Sequence, residues 1–244
     1  VTESNAFGTH EFLDFLGQIG AEAFISVNVG SGTPQEAAEW LEYLTAALPT
    51  TRAQERAANG RPEPWKIAFL GIGNESWDCG GNMTPEHYLS QLKAYSRFVR
   101  NFNPAQEKDP HRMLKIAVGP GGDGPRWTEW TDVIMKAWQG RSWSWDMDGL
   151  SLHNYTVPKW PPSHKSTGFG ESEYAEILKT TLEMDRIVAT HSAIMDKYDP
   201  HKKIAHVVDE RGAWYAPLHG SDPSFLVQQN SQRDAILAAL NLNI

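Results

Sequence analysis

The fold is decided by an apolar run that ends in an amide and a carboxylate, Ile67-Ala-Phe-Leu-Gly-Ile-Gly-Asn-Glu75. A second run of the same kind comes much later in the chain, Ile204-Ala-His-Val-Val-Asp-Glu210. Short apolar runs of this length are typical of the buried strands of a parallel sheet. In an α/β barrel the chemistry collects at the C-terminal ends of the strands, so the two runs predict two carboxylates at one mouth.

Two carboxylates in such a position indicate a particular chemistry. Acids placed about 5 Å apart across a sugar bond are the machinery of a retaining glycosidase. Asn74 supports this interpretation, because an amide beside a carboxylate is a ready ligand for sugar hydroxyls. Because side chains alternate along a strand, we expect Asp209 and Glu210 to point to opposite sides. The alternative for each acid is a solvated strand end without a function.

Helical and strand-like patterns alternate from one end of the chain to the other. Helices are predicted over residues 7–19 with Thr9 as N-cap, from 34 with a capping box of Thr33 and Glu36, over 85–102 capped by Thr84, and over 128–138, 173–198 and 225–242. Strands are predicted over 24–29, 66–73, 115–119, 149–155 and 204–210, with a polar loop over 49–65. Strands that alternate with helices indicate a parallel sheet built from βαβ units.

Two architectures of the α/β class fit this alternation. A doubly wound sheet usually carries a glycine-rich phosphate loop after its first strand, and Gly30-Ser-Gly32 lacks the third glycine of that motif. We therefore predict a (β/α)8 TIM barrel. Five strand–helix units are too few to close eight strands, so residues 1–244 are predicted to form a single, incomplete segment of a catalytic barrel.

Composition excludes several classes of protein. With 40% hydrophobic and 21% charged residues, the 244-residue chain has enough apolar surface for a sizeable core. A net charge of -8 argues against a nucleic-acid partner, because a polyanion would be repelled. Cys79 is the only cysteine, which excludes an intrachain disulfide and a cysteine-based zinc site, and Asp78 beside it disfavours a reactive thiolate.

Membrane and targeting signals are not evident in the sequence. No apolar run is long enough to cross a bilayer, so a membrane partner is not expected. The first residues, Val1-Thr-Glu-Ser-Asn5, lack the basic and apolar segments of a signal peptide. We expect a cytoplasmic protein, with secretion through a signal peptide of a precursor as the open alternative.

Six motifs, in this order, cover essentially the whole chain: Asn5-Ala-Phe-Gly-Thr-His-Glu-Phe, Val27-Asn-Val-Gly-Ser-Gly-Thr, Gly71-Ile-Gly-Asn-Glu-Ser-Trp, Cys79-Gly-Gly-Asn-Met, Ser151-Leu-His-Asn-Tyr-Thr and Val207-Val-Asp-Glu-Arg-Gly-Ala-Trp-Tyr. With them the chain closely resembles the catalytic barrel of glycoside hydrolase family 51, the α-L-arabinofuranosidases. The resemblance implies a TIM barrel of which this chain covers roughly the second helix to the seventh helix. The family's C-terminal β-sandwich has no counterpart here.

The resemblance implies the roles of the two acids. Glu75 matches the general acid/base of the family, and Glu210 matches its nucleophile. The chain departs from the family at Arg211, where the family usually has Trp. A guanidinium beside the nucleophile would favour the ionised carboxylate and alter how the sugar packs.

Five further residues are predicted to bind the substrate. By the same resemblance, Asn28 and Asn74 would bind sugar hydroxyls, Tyr155 would orient the nucleophile, and His153 would belong to the same polar network. Trp77 is predicted to contact the sugar as well. No cofactor is implied. A metal is not expected at His153, because no second His or acid lies at ligand spacing on its strand.

The sequence thus predicts a retaining exo-glycosidase that removes terminal α-L-arabinofuranosyl units from arabinan, arabinoxylan and their oligosaccharides, in the metabolism of L-arabinose. The resemblance also implies a homo-oligomer, with the hexamer as the form that the family suggests. One rival is an endo-acting xylan or glucan hydrolase on the same barrel, which would differ in the loop 156–172. The other is a catalytically silent carbohydrate-binding fragment with Trp77, Trp160 and Trp214 as platforms.

Overall fold

Helices and strands alternate along the chain in the computed structural model, which describes residues 4–47, 49–107, 112–220 and 230–244. Within these residues, no helix is both long and apolar enough to cross a membrane. The strands are β1 (Phe24–Val27), β2 (Phe69–Ile72), β3 (Leu114–Ala117), β4 (Gly149–Thr156) and β5 (Ala205–Ala213). The helices are α1 (Thr9–Ile19), α2 (Pro34–Thr45), α3 (Thr51–Ala58), α4 (Pro85–Phe98), α5 (Pro104–Glu107), α6 (Pro125–Gln139), α7 (Glu171–Thr181), α8 (Glu183–Tyr198) and α9 (Gln232–Leu242).

The strand order follows the chain order, β1-β2-β3-β4-β5. The pairings of β1 with β2, β2 with β3 and β3 with β4 are parallel, with Phe24 opposite Phe69 and Phe69 opposite Leu114. A doubly wound sheet reverses its strand order at a switch point, and the described strands contain no such reversal. The α/β class is therefore confirmed, and the sequential order is that of a barrel.

Residues 1–244, which were predicted to form a single segment, divide into two compact units. The first comprises residues 1–118, 136–150 and 203–205, and the second comprises residues 119–135, 151–202 and 206–244. In the first unit, β2 contacts both neighbouring strands and the helix α4, and α2 contacts α3 and α4. In the second unit, Leu152 of β4 packs against Met184 and Ile187 of α8, while Ile177, Tyr215 and Leu237 form another apolar cluster.

Helix starts follow the local sequence closely. The predicted capping box of α2 is confirmed: Glu36 N–H donates to Thr33 Oγ1 at 3.2 Å, and Thr33 N–H donates to Glu36 Oε2 at 2.8 Å. Thr84 caps α4 as predicted, by accepting from His87 N–H at 3.3 Å. At α1 the prediction is wrong, because Gly8 is the N-cap. The Thr9 hydroxyl instead accepts a tertiary hydrogen bond from Trp40 Nε1 at 3.3 Å.

The polar loop predicted over 49–65 is also wrong, because it contains the helix α3. The reason is tertiary. Arg56 is buried, with 1% of its surface exposed, and its guanidinium donates to the carbonyls of Tyr43, Ala46 and Pro62 at 2.6, 2.9 and 2.8 Å. This polar segment packs as a helix because its arginine is buried and hydrogen-bonded to carbonyls, although its composition is typical of a loop.

The single helix predicted over 173–198 is two helices, α7 and α8, separated at Leu182. Thr180 and Thr181 donate their hydroxyls to the carbonyls of Glu176 and Ile177, each at 2.9 Å. Such back-bonding by threonine bends helices, and two in succession mark the break. The helix predicted over 85–102 ends at Phe98, and the one predicted from 225 begins at Gln232, with residues 225–229 outside the described part.

Two histidines are enclosed in the second unit. The buried His191 bonds through both ring nitrogens, to Thr131 Oγ1 and to the carbonyl of Gly122, each at 2.9 Å. His206 contacts Ser192 Oγ through Nδ1 at 3.2 Å, while its buried Nε2 has no hydrogen-bond partner. Desolvation by burial, with the charge of His191 next, lowers the pKa of His206 to about 4.

We predict that this unit loses stability as the pH falls from 6.5 to about 4. In this pH range the His206 imidazole stays neutral in the folded state but takes up a proton in the unfolded chain. The loss of stability therefore begins below the ordinary pKa of 6.5 and is complete near pH 4. The expected loss from His206 is of the order of 3 kcal/mol. Unfolding midpoints measured against pH should decline less steeply in His206→Gln, whereas the exposed His201→Gln should follow the wild type. Parallel curves for all three proteins would contradict the prediction.

Candidate active site

Glu75 lies three residues beyond the end of β2, in a tight turn of the first unit. Its φ is 43°, in the left-handed region that side chains other than glycine rarely adopt. The turn is held by the Glu75 carbonyl, which accepts from the N–H groups of Asp78 and Gly80 at 2.8 and 3.0 Å. A strained backbone of this kind costs about 1–3 kcal/mol and persists only where its surroundings fix it, typically at functional sites.

Glycine is required at two places around this turn. A Cβ atom on Gly80 would lie 1.7 Å from the carbonyl oxygen of Asn74, and one on Gly30 would lie 2.6 Å from the carbonyl oxygen of Gly80. The turn after β2 therefore packs backbone to backbone against the turn after β1. This close approach explains why glycine occupies positions 30 and 80.

Cys79 contacts the acid directly. Its Sγ lies 3.2 Å from Glu75 Oε2, so the thiol donates a hydrogen bond to the carboxylate. This bond is the largest cause that raises the pKa of Cys79, followed by burial and by the negative charges of Glu75 and Asp78. The thiol therefore stays protonated, as Asp78 led us to expect. The contact between Cys79 and Glu75 was not predicted from the sequence, where its only signal is the four-residue spacing of the two residues within a turn.

The predicted sugar ligands of the first unit differ in exposure. Asn28 is exposed at the end of β1, where its side chain bonds Ser31 (Nδ2 to Oγ at 2.8 Å, and Oδ1 from N–H at 3.0 Å). It borders a cleft of about 540 Å³ that Ser31 and Trp40 also line. Asn74 is exposed, whereas Trp77 is buried, with 8% of its surface accessible. Their roles in binding substrate stay predictions.

Glu210 lies inside β5, three residues before its end, so the prediction that it ends the strand is wrong. Tyr155, near the end of β4, donates its hydroxyl to Glu210 Oε2 at 2.9 Å. The same oxygen lies 3.4 Å from Nδ1 of the buried His153. The structure thus brings together three residues that the sequence analysis assigned to one network.

His153 also reaches the neighbouring acid. Its Nε2 lies 3.3 Å from Asp209 Oδ1, a buried atom that has no aligned donor, so the contact is electrostatic rather than a hydrogen bond. Asp209 and Glu210 were predicted to point to opposite sides of the strand, and both carboxylates reach this imidazole, one at each ring nitrogen. The two ring nitrogens flank Cε1 and point in different directions, which lets one side chain meet the carboxylates of successive residues. Among the described residues, Arg211 forms no ion pair with Glu210.

The rings of Tyr155, Trp214 and Trp160 form a row of three aromatic side chains that begins at Glu210. Trp214 stacks on the Tyr155 ring with centroids 5.1 Å apart and an interplanar angle of 14°. Trp160 lies against Trp214 at 5.4 Å and 42°. Exposure rises along the row, from the partly buried Tyr155 and Trp214 to Trp160, which is 66% exposed.

The chain is similar to arabinofuranosidases in sequence. Residues 1–139 match the family model described as the alpha-L-arabinofuranosidase 1 domain. The chain is 43% identical over 243 residues to an intracellular exo-alpha-L-arabinofuranosidase of Bacteroides ovatus, across 99% of this chain and 45% of the relative. It is 35% identical over 249 residues to a probable alpha-L-arabinofuranosidase C of Aspergillus terreus, across 100% of this chain and 46% of the relative.

Solved structures show the same similarity. The GH51 arabinofuranosidase of Xanthomonas axonopodis pv. citri matches with a TM-score of 0.88 and 50% identity, over 99% of this chain and 46% of that one. An alpha-L-arabinofuranosidase of Thermotoga maritima, solved as an arabinose complex, matches with a TM-score of 0.74 and 29% identity, over 98% and 44%. The chain spans about half the length of the curated relatives it matches. These matches confirm the resemblance drawn from the six motifs: the chain belongs to the α-L-arabinofuranosidases of glycoside hydrolase family 51.

Proposed function

We propose that the protein is a retaining, exo-acting glycosidase that releases terminal α-L-arabinofuranosyl units from arabinose-containing oligo- and polysaccharides. The observation that carries the proposal is the hydrogen bond from Tyr155 to Glu210, which fixes a carboxylate at the C-terminal part of a strand. Membership of the family supports the substrate, and the name of the Bacteroides ovatus relative supports the exo mode.

Glu210 is the proposed nucleophile. The Tyr155 hydroxyl occupies one lone pair of Oε2 and fixes the plane of the carboxylate, which leaves Oε1 to attack the anomeric carbon. His153 lies beside the same Oε2 and limits its rotation further. The attack breaks the glycosidic bond and forms a covalent glycosyl–enzyme with inverted configuration at the anomeric carbon.

Glu75 is the proposed acid/base. In the first step its carboxyl group gives a proton to the leaving oxygen, and in the second it takes a proton from the water that displaces Glu210. Two inversions restore the starting configuration. The turn that holds Glu75 at positive φ suits this role, because a proton must be delivered at one fixed position in both steps.

The first prediction for this mechanism concerns the nucleophile. Glu210→Ala in the intact protein should lower turnover of aryl α-L-arabinofuranosides by several orders of magnitude, because no covalent intermediate can form. Azide should restore part of the rate and give an arabinosyl azide of inverted configuration. The exposed Glu171→Ala serves as the matched control. Near wild-type turnover in Glu210→Ala would sink the assignment.

The second concerns the acid/base. Glu75→Ala should slow substrates with poor leaving groups by about 10²–10⁴-fold, because their departing oxygen needs a proton. Dinitrophenyl arabinofuranoside, whose leaving group departs unprotonated, should lose much less in the first step. The measurement is kcat/KM across a series of leaving groups. Equal slowing across the series would mean that Glu75 binds the sugar instead.

The third prediction concerns Cys79, whose thiol is proposed to position the Glu75 carboxylate. Cys79→Ala removes the donor to Glu75 Oε2 and should lower kcat/KM on a substrate with a poor leaving group by up to about tenfold, the worth of one hydrogen bond to a charged group. Cys79→Ser keeps a hydroxyl donor and should recover most of the loss. Equal activity of the Ala and Ser variants would show that the thiol only fills space.

A further inference from the structure

We infer that Asp209 is a positioning residue of this site: it keeps the His153 imidazole doubly protonated, and through His153 it stabilises Glu210 as the leaving carboxylate of the second chemical step. The inference rests on the proposed function and adds a residue that the two-carboxylate mechanism does not use. Its basis is a row of three side chains in the second unit. Nε2 of His153 lies 3.3 Å from Asp209 Oδ1, and Nδ1 lies 3.4 Å from Glu210 Oε2.

The Asp209 carboxylate is largely buried. Its side chain is 15% exposed, and its Oδ1 atom is buried without a hydrogen-bond partner. A buried carboxylate oxygen is costly unless an opposite charge compensates it. Among the described residues, the His153 ring is the group able to carry a positive charge that lies within ion-pair distance of Asp209. The burial of Asp209 therefore favours an ionic pair with a charged imidazole.

Both nitrogens of the His153 ring face carboxylate oxygens. A neutral imidazole carries a hydrogen on one nitrogen and a lone pair on the other, so one lone pair would point toward a negative charge. A second proton replaces this repulsion by an attraction, and the ring is too deeply buried, with 4% of its side chain exposed, for water to screen it. A third titratable group, the Tyr155 hydroxyl, donates to the same Glu210 oxygen that the ring approaches.

The covalent intermediate gives Asp209 its role. When Glu210 Oε1 bonds the anomeric carbon, the carboxylate becomes a neutral ester, and the imidazolium loses one of its two negative neighbours. Asp209 remains and keeps the proton on the ring. Water then attacks the anomeric carbon and gives a proton to Glu75, while the bond to Oε1 breaks and its electron pair returns to Glu210. The imidazolium and the Tyr155 hydroxyl stabilise the returning charge at Oε2.

The two chemical steps should depend on Asp209 unequally. The imidazolium stabilises the charged Glu210 of the free enzyme, so it does not favour the attack, whereas it favours the departure of the carboxylate from the intermediate. Removal of the Asp209 charge should therefore slow the second step and leave the first nearly unchanged. A residue that only joined β5 to β4 would instead affect both steps alike, or lower the amount of folded protein.

The test is the hydrolysis of dinitrophenyl α-L-arabinofuranoside by Asp209→Asn in the intact protein. The second step, followed after the burst of dinitrophenolate, should slow about tenfold, the worth of one interaction with a charged group. KM should fall together with kcat, while kcat/KM, which reports the first step alone, should stay within about threefold of the wild-type value. The burst counts active sites, so a loss of folded protein does not imitate this result.

Two further variants complete the comparison. Asp185→Asn, the same change at an exposed position of the same unit, should behave as the wild type. In the His153→Gln protein, Asp209→Asn should slow the second step less than about twofold, because the ring through which Asp209 acts is gone. A parallel fall of kcat and kcat/KM in Asp209→Asn, or a second step at the wild-type rate, would overturn the inference. An undiminished effect in the His153→Gln background would do the same.

A measurement without substrate keeps failure of the inference distinct from failure of the proposed function. In nitrogen NMR spectra of protein labelled at its histidine rings, His153 should lose its second proton at a lower pH in Asp209→Asn than in the wild type. Its signal is assigned by its loss in His153→Gln. Equal titration in the two proteins would overturn the inference even if arabinofuranoside hydrolysis is normal. A wild-type protein that shows the difference but hydrolyses no arabinofuranoside would overturn the proposed function, while the Asp209–His153 ion pair would stand.

Discussion

The Tyr88 hydroxyl joins the ends of two neighbouring strands, and the first unit depends on it. It donates to the carbonyl of Ile72 and accepts from the N–H of Val118, each at 2.7 Å, in a fully buried setting. Both backbone groups lie where the β2–β3 ladder stops, after Ile72 pairs with Ala117. A buried backbone group without a partner costs about 1–3 kcal/mol, so one hydroxyl replaces the hydrogen bonds that the ending ladder no longer supplies.

This termination determines where the chemistry can lie. Once Ile72 is satisfied by Tyr88, the chain can leave the sheet at Gly73 and turn back through Glu75 at positive φ. Tyr95, which lies on α4 like Tyr88, makes a similar hydrogen bond after β1, where its hydroxyl donates to the carbonyl of Asn28 at 3.0 Å. The helix α4 therefore fixes the exits of two strands at once. The residues that leave the sheet there are the ones that the family motifs single out.

Much of this fold could be predicted from the sequence, because its signals are local. The capping residues Thr33 and Thr84 start helices through their own side chains, and short apolar runs form the largely buried strands β2 and β4. The errors occurred where a distant partner decides. Four carbonyls converge on the Arg56 guanidinium and make α3 a packed helix, and two of them, those of Tyr43 and Ala46, lie outside the window 49–65.

The residues of the candidate site also differ in how far they could be predicted from the sequence. The family resemblance predicted that Tyr155, His153 and Glu210 belong to one network, and in the structure Tyr155 and His153 both lie at Glu210 Oε2. The contact of Cys79 could not be predicted in this way, because Cys79 lies in a turn outside the strands, where spacing alone does not fix the direction of a side chain. The strands β4 and β5 hold the Glu210 carboxylate against Tyr155 and His153, whereas a turn after β2 brings the Cys79 thiol to the Glu75 carboxylate as a donor. Contacts between residues on neighbouring strands are therefore easier to predict from sequence than contacts of residues on loops and turns, which depend on how the chain folds around them.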